Sequence, residues 1–523
     1  MGSPKSDIRG PKEGRNPKAE CGLRRETATL PKRFGIRISD LGFPSVFGFR
    51  ASDFIHSAWT LNSLSLERRS FNSVVYIASH GWENRPVFEI AMKPQAASHL
   101  SRRQFLRRAS AAAALPFIVP GSVLGLNGAV APSNRIGFGA IGVGNRALDT
   151  LPTFLSFPEI QYVAVSDFRA DRLKIAKAKV DAKYGNQDCV AYPDFREMLA
   201  CKDVDAVALA TGNRWHGLGS IYAARAGKDI YCEKPVTLTI GEGRKLVDTC
   251  RRFGTIYQAG TQRRSTASYR FAMEMVRQGK LGRMHTVEMQ VWDGPGIPHD
   301  KVAPVPKGWD YDKWLGQSPW YPFVPARVNA WQYFWDTAEG VMTDMGEHYT
   351  DQMQWALDTD NTGPLEFEAQ GVFPDPTKFC SDTPITGVGH CKYANGVMGV
   401  MYQRGAFKDR YIRYIGDEGW IQVDDETDIV TAEPKSLLSL KGASAAGWGD
   451  ASSHIRNLLN CIRSRTPTIC NPEVAHRAIT ICQAWTLSMR LGRKLKWDPV
   501  KERFDVEEAN RMLYREPRAP WRC

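Results

Sequence analysis

Metal-ligand spacing is missing from this chain. Its 11 cysteines include no C-x-x-C pair and stand in no zinc-site pattern with histidine, which excludes a structural zinc module. Long hydrophobic runs are scarce. The apolar stretch 109–125 is too short, and too interrupted by Pro116 and Pro120, to anchor in a bilayer, and no second membrane segment follows. A general excess of charge is also absent. The net charge is +13, from 69 basic and 56 acidic residues, but residues 1–131 hold 19 of the basic and 9 of the acidic ones. The remaining 50 and 47 leave only +3, so the basicity gives no case for a nucleic-acid partner. Residues 1–91 lack any sustained period of 2 or 3.6 and any internal repeat. They are expected to be disordered, or an upstream extension of a reading frame that starts at Met92.

What is present begins with Ser101-Arg102-Arg103-Gln104-Phe105-Leu106-Arg107. This run resembles the twin-arginine signal that exports folded proteins. Ala129-Val130-Ala131 offers a small-residue cleavage site. Residues 92–131 are therefore read as a signal peptide, with the export machinery as partner, a periplasmic or otherwise exported location and no permanent membrane anchor.

From Arg135 onward, apolar runs alternate with helical stretches. The runs are 136–141, 160–165, 206–210, 229–232 and 255–258, and the helices 145–156, 170–183, 216–226 and 240–253. Strands apolar along their whole length predict a parallel sheet covered on both faces, an α/β domain over 132–260. Gly137-Phe138-Gly139-Ala140-Ile141-Gly142 matches G-x-G-x-x-G but leaves no strand before it. Gly142-Val143-Gly144-Asn145-Arg146-Ala147 follows a proper strand and opens a helix. Gly142 makes the turn, Gly144 admits a pyrophosphate and Ala147 packs closely. Asp167, twenty residues past Ala147, is placed to accept from ribose hydroxyls and favours NAD over NADP, a preference that nearby Arg169 weakens.

Three further motifs carry chemistry. Thr211-Gly212-Asn213-Arg214-Trp215-His216 follows a strand at the sheet's carboxyl edge, where its polar groups can line the nicotinamide half; His216 equally suits capping or packing. Tyr231-Cys232-Glu233-Lys234-Pro235 ends the next strand and sets Lys234 beside the cofactor, ready to hold a substrate oxygen. In 340–351, Asp344, His348 and Asp351 are spaced to share a helix face. His348 has the intrinsic pKa to take an alcohol proton as hydride leaves, and Asp344 can hold a hydroxyl or orient the ring. No second cluster supports a metal. Six tryptophans (292, 309, 314, 320, 331 and 335) read as structural for the most part, with one or two stacking on substrate. Cys380 and Cys391 have a disulfide in an oxidising compartment as one reading, with a buried thiol pair as the favoured expectation.

Together with Ala226-Gly227-Lys228, Gly260-Thr261-Gln262-Arg263-Arg264-Ser265, Trp314-Leu315-Gly316, Leu495-Lys496-Trp497-Asp498 and Glu508-Ala509-Asn510, these motifs resemble the glucose–fructose oxidoreductase/inositol dehydrogenase/rhizopine-catabolism (Gfo/Idh/MocA) family over roughly 133–523. The resemblance narrows to its exported branch. It implies an α/β Rossmann domain, a doubly wound parallel sheet, followed over 261–523 by an α+β domain with an open, mostly antiparallel sheet, C-terminal helices and a tendency to homo-oligomers. It implies NAD(P) and oxidation or reduction of a sugar, polyol or related hydroxyl compound; an exported location without a free NAD pool adds the expectation that the cofactor stays tightly bound. The catalytic set carried over is Lys234, Asp344 and His348. The cofactor set is Gly142, Gly144, Asn145, Arg146, Ala147, Asp167, Thr211, Asn213, His216, Glu233, Lys234 and Gln262. Gly212-Asn213-Arg214 departs from the branch's usual Pro-Asp-His, so Arg214 is expected to bring either an acidic substrate or an altered cofactor contact. An NAD-dependent glycoside hydrolase of the same fold and a non-catalytic sugar-binding protein stand as alternatives.

Overall fold

The computed structural model describes residues 75–79, 87–91, 130–439 and 451–521. The chain divides into two units, Met1–Leu115 and Pro116–Cys523. In the first, β1 (Val75–Ser79) and β2 (Val87–Ala91) pair antiparallel. Both runs are rich in the β-branched and aromatic residues that favour strands, although no period extends beyond them. The twin-arginine run, its apolar stretch, Ala129 and Met92 lie outside the described residues.

The second unit contains a six-stranded sheet in the order β5-β4-β3-β6-β7-β8, parallel throughout. Its strands are β3 (Ile136–Ile141), β4 (Ile160–Ser166), β5 (Val190–Tyr192), β6 (Ala206–Leu209), β7 (Asp229–Cys232) and β8 (Tyr257–Ala259). All six residues of β3 are buried, which is why its sequence shows no polar alternation. Helices α1 (Asn145–Leu155), α2 (Ala170–Tyr184), α3 (Phe195–Leu199), α4 (Asn213–Arg225) and α5 (Ile240–Phe253) follow successive strands. Their ends are set by local chemistry. Thr239 accepts from Glu242 N at the start of α5, and left-handed Gly185 and Gly254 close α2 and α5. The β5–α3 unit has no counterpart in the periodicity, because β5 is three residues long and largely exposed.

The nine-stranded sheet runs β15-β14-β13-β9-β12-β11-β10-β16-β17 and is antiparallel except at β9–β12. It comprises β9 (Met284–Val291), β10 (Glu366–Val372), β11 (Thr386–Lys392), β12 (Met398–Gln403), β13 (Tyr411–Gly416), β14 (Gly419–Asp424), β15 (Val430–Glu433), β16 (Leu495–Asp498) and β17 (Arg503–Phe504). Helices α6 (Ala267–Arg277), α7 (Val341–Asp344), α8 (Gly346–Ala356), α9 (Ala451–Ser464) and α10 (Pro472–Leu491) lie in the same unit, with short helical turns at Tyr311–Leu315, Pro325–Asn329 and Glu507–Arg511. α10 joins the two layers. Its Ala475, Ile479 and Cys482 belong to the core under the parallel sheet, and Ile481, Trp485 and Met489 to the core under the mixed one. A helix buried along both sides needs apolar residues all round, and this one has them. Among the described residues no helix is long and apolar enough to cross a membrane.

Candidate active site

β3 ends at Ile141 and the chain turns at Gly142, whose φ of +77° favours glycine. A methyl group here would stand 2.5 Å from Thr211 Cγ2. At Gly144 the same addition would meet nothing within 4 Å. Gly144 precedes α1 without any side-chain cap, so the helix's first N–H groups face an open groove of about 450 Å³. Asp167 lines that groove. Its carboxylate accepts from Val143 N at 2.8 Å and Arg169 N at 2.9 Å, and each oxygen retains a lone pair for a ribose hydroxyl. Burial pushes this carboxyl above the ordinary aspartate range, against the pull of the two amides. The Arg169 guanidinium is committed to Asp171, at 2.6 Å, and to the face of Trp309. Asn145 lines the groove, while Ala147, in the first turn of α1, lines a small apolar pocket with Ala140, Val143 and Leu151.

A cleft of about 540 Å³ adjoins this groove, sharing Arg146, Ala210, Thr211, Trp331 and Gln332 with it. Lys234, Asp344 and His348 all line the cleft. Lys234 Nζ donates to the Asp344 carbonyl at 2.8 Å and approaches Asp344 Oδ1 at 3.4 Å. His348 is 5% exposed, and its Nδ1 has no hydrogen-bond partner among the described residues. Burial holds its imidazole well below the usual histidine range, and the charges of Arg263, Lys234 and Arg146 add to this. It is therefore neutral, and able to accept a proton, at neutral pH. Glu233 ties the elements together: its Oε1 accepts from Arg146 Nη2 at 3.0 Å, Tyr231 OH at 3.2 Å and Gln262 Nε2 at 3.0 Å. One carboxylate thus links the glycine turn to the Lys234 loop.

Other expected residues are placed differently. His216 touches the cleft wall, but its Nδ1 lies 2.6 Å from Pro235 O and its Nε2 3.1 Å from Thr211 O. From the cleft wall it braces two loops. Thr211 and Asn213 line the cleft, and Asn213 Nδ2 donates to Ala338 O at 3.3 Å. Asp351 does not share the cleft with His348. Both lie on the unbroken α8, but Asp351, wholly buried, accepts from Arg264 Nε at 2.9 and 3.0 Å, whereas Asp344 sits beyond a break at Met345 and still reaches the cleft. Arg214 lines the dinucleotide groove, under Trp314 with its guanidinium 3.9 Å from the ring centroid. Burial pulls it down to about 10. Of the six tryptophans, Trp292 and Trp331 line the cleft, Trp309 and Trp314 the groove, Trp335 lies between Arg490 and Arg515, and Trp320 is exposed. Cys380 and Cys391 are both free and form no buried pair: Cys380 is half-buried beside Pro298 O, and Cys391 is buried. Each is held by a different packing environment. Among the described residues no group of His, Cys, Asp or Glu gathers to hold a metal.

Apart from Trp292, the cleft's far wall escapes the sequence reading. Arg263, Tyr269, Trp292, Phe407, Asp425 and Asp428 form it. Arg263 neighbours Gln262 in a motif already singled out, and Asp424-Asp425-Glu426-Thr427-Asp428 is a turn signal between two strands. Neither spacing says that these residues meet.

Residues 136–261 match the model of an oxidoreductase family, NAD-binding Rossmann fold, and residues 287–523 match that family's C-terminal alpha/beta domain, both under the Gfo/Idh/MocA heading. The chain belongs to the Gfo/Idh/MocA oxidoreductase family. It is similar to the myo-inositol 2-dehydrogenase of Thermotoga maritima, 26% identical over 164 residues, which are 31% of this chain and 47% of that protein. A glycosyl hydrolase family 109 protein of Saccharopolyspora erythraea is 38% identical over 119 residues, 22% of this chain and 26% of its own length. The chain thus spans about half, or less, of these curated relatives. In fold it resembles the WlbA dehydrogenase of Chromobacterium violaceum, solved with NADH and UDP-GlcNAcA. The TM-score is 0.56 at 18% identity, over 70% of this chain and 96% of that one.

The NAD-binding domain of this Gfo/Idh/MocA protein fits its cofactor: an uncapped helix start, a glycine turn open to the groove and a carboxylate at the end of β4 are the three parts a dinucleotide requires. The two glycines separate fold from binding. Gly142→Ala is expected to cost about 1–3 kcal/mol of stability as well as NADH affinity. Gly144→Ala is expected to keep its denaturation midpoint and lose NADH affinity alone, measured by quenching of tryptophan fluorescence. Equal NADH affinity in Gly144→Ala and the parent would place the pyrophosphate elsewhere.

Proposed function

We propose that this protein is an exported NAD-dependent dehydrogenase acting on a secondary hydroxyl of a sugar, polyol or related compound. The observation that carries the reading is the convergence of Lys234, Asp344 and His348 on one cleft that opens onto the glycine-turn groove. NAD bound there supplies a hydride acceptor. Lys234 keeps one N–H donor beyond its bonds to the Asp344 carbonyl and Oδ1, and this donor holds the substrate oxygen and stabilises developing alkoxide charge. The Asp344 carboxylate accepts from a neighbouring hydroxyl. Neutral His348 takes the hydroxyl proton as the carbon loses hydride, leaving a carbonyl, and returns that proton when the reaction runs backwards. Asp167 supports NAD over NADP. The twin-arginine run supports export of the folded, cofactor-loaded protein, and a compartment without free NAD favours a cofactor that stays bound and is recycled by a second substrate.

The stretch shared with the glycosyl hydrolase family 109 protein supports a second reading on the same residues: transient oxidation that permits loss of a glycosidic substituent. One experiment separates the two. Native protein is purified, its nucleotide identified by mass spectrometry, and a sugar panel followed by nicotinamide absorbance and by release of free aglycone. Net NADH formation is expected. Aglycone release without net NADH would favour the hydrolase, and co-purification of no nucleotide with no response to added NAD would sink both.

A further inference from the structure

The cleft continues past its reacting groups to a wall built by the mixed sheet, where the β14–β15 turn, Trp292 and Phe407 meet. The turn is pinned from both sides. Asp425, 2% exposed, accepts from Arg263 Nε at 2.6 Å, Arg410 Nε at 2.8 Å and the Tyr269 hydroxyl. Asp424 Oδ1 accepts from Thr427 N at 2.9 Å and Thr427 Oγ1 at 2.6 Å. Just past these anchors Asp428 has a φ of +58°, a left-handed conformation uncommon for residues with a side chain. Asp428 is only 8% exposed and lines the cleft. Its Oδ1 accepts from Ser268 Oγ at 3.3 Å, while its buried Oδ2 has no partner among the described residues. A buried carboxylate oxygen without a donor is costly, and one in the wall of a cleft points to a ligand. Beside it, Phe407 is 56% exposed yet held in place, with Trp292 at a centroid distance of 4.7 Å and the Arg410 guanidinium 3.6 Å from its ring. An exposed aromatic face next to an unsatisfied hydroxyl acceptor suits the two surfaces of a pyranose ring: its C–H face and its hydroxyl edge.

We propose that this wall is a second carbohydrate subsite, which takes a sugar unit linked to the reacting one, with Asp428 accepting a hydroxyl and Phe407 and Trp292 lying against the ring. The substrate is then a glycoside of at least two units rather than a free monosaccharide. This rests on the carbohydrate reading of Lys234, Asp344 and His348 above.

The test compares glucose with cellobiose, maltose and trehalose on the full, nucleotide-loaded protein, by kcat/KM and by saturation-transfer NMR. At least one disaccharide is expected to exceed glucose by roughly tenfold or more, the scale of one charge-assisted hydrogen bond. Asp428→Asn and Phe407→Ala are each expected to erase that advantage while leaving kcat/KM for glucose within about twofold. Phe407 stands at the surface, so its variant reports on the subsite even if Asp428→Asn misfolds. Equal kcat/KM for glucose and every disaccharide, or an equal loss for both classes in Phe407→Ala, would overturn the subsite. Should no sugar be oxidised, saturation transfer to the second ring of a disaccharide that disappears in Phe407→Ala upholds the subsite and sinks the dehydrogenase reading. No transfer to any disaccharide overturns the subsite alone.

Discussion

Replacing His348 with alanine is expected to lower kcat by about 10²–10⁴-fold, the range supplied by a positioned acid–base group, with NADH affinity unchanged. The side chain is buried, lines the cleft with Lys234 and Asp344, and offers an Nδ1 that has no partner among the described residues. Its removal therefore breaks no structural hydrogen bond at that nitrogen. The pH profile carries a second signature. Only the neutral ring accepts a proton, and burial holds the folded-state pKa well below the ordinary value near 6.5. Oxidation by the parent enzyme should stay level as pH falls through about 6.5 and decline only at lower pH, where an unshifted histidine would already have lost half its activity. Steady-state rates across that range, beside an NADH titration of the variant, make the check. Full turnover in His348→Ala would leave the protein as a sugar binder or move the base elsewhere.

Replacing Arg264 with methionine is expected to destabilise the fold by about 3–5 kcal/mol, the cost of leaving a buried charge unpaired. Arg264 is 1% exposed, and its guanidinium meets Asp351 on one side and Asp360, at 2.7 and 2.9 Å, on the other. Burial already pushes the Asp351 carboxyl above the ordinary aspartate range despite that cation. Without it, the folded state holds the proton more firmly still. A carboxyl whose pKa is raised on folding gains relative stability as pH falls, because the folded chain then binds a proton that the unfolded chain releases. The deficit of Arg264→Met should therefore be larger near pH 8 than near pH 5. Denaturant unfolding of parent and variant at both values measures it, and a deficit below about 1 kcal/mol would mean that water, not Arg264, satisfies Asp351.

The parallel sheet was legible because its inner strands are buried on both faces, so Ile136–Ile141 reads as an unbroken apolar run and Ile160–Ser166 as a largely apolar one, whereas the exposed β5 left no such run. The glycine turn was legible because only glycine adopts the backbone at Gly142 without strain. Lys234 and His348 were legible as chemistry in motifs, though 114 positions separate them in the sequence. Helical spacing misplaced Asp351, because it says which residues of α8 lie near one another but not that the cleft opens beside His348 while Arg264 waits beside Asp351 on the buried side. His216 read equally as ligand or brace, since its two carbonyl partners come from different loops. The far wall of the cleft left almost no trace. Asp428 stands 160 residues from the serine it bonds, in a turn whose composition announces only a turn.

Local rules, then, determined the alternation of strands and helices, the phosphate-facing turn and the identities of the groups able to move a proton, because periodicity, glycine backbone freedom and intrinsic pKa are properties of short segments. Tertiary structure alone decided which groups face one another. The meeting of Lys234 with Asp344, the withdrawal of Asp351 to Arg264 and the half-satisfied Asp428 at the end of the cleft all depend on contacts between distant parts of the chain. Burial then sets the charge of each group, and burial is a property of the packed molecule.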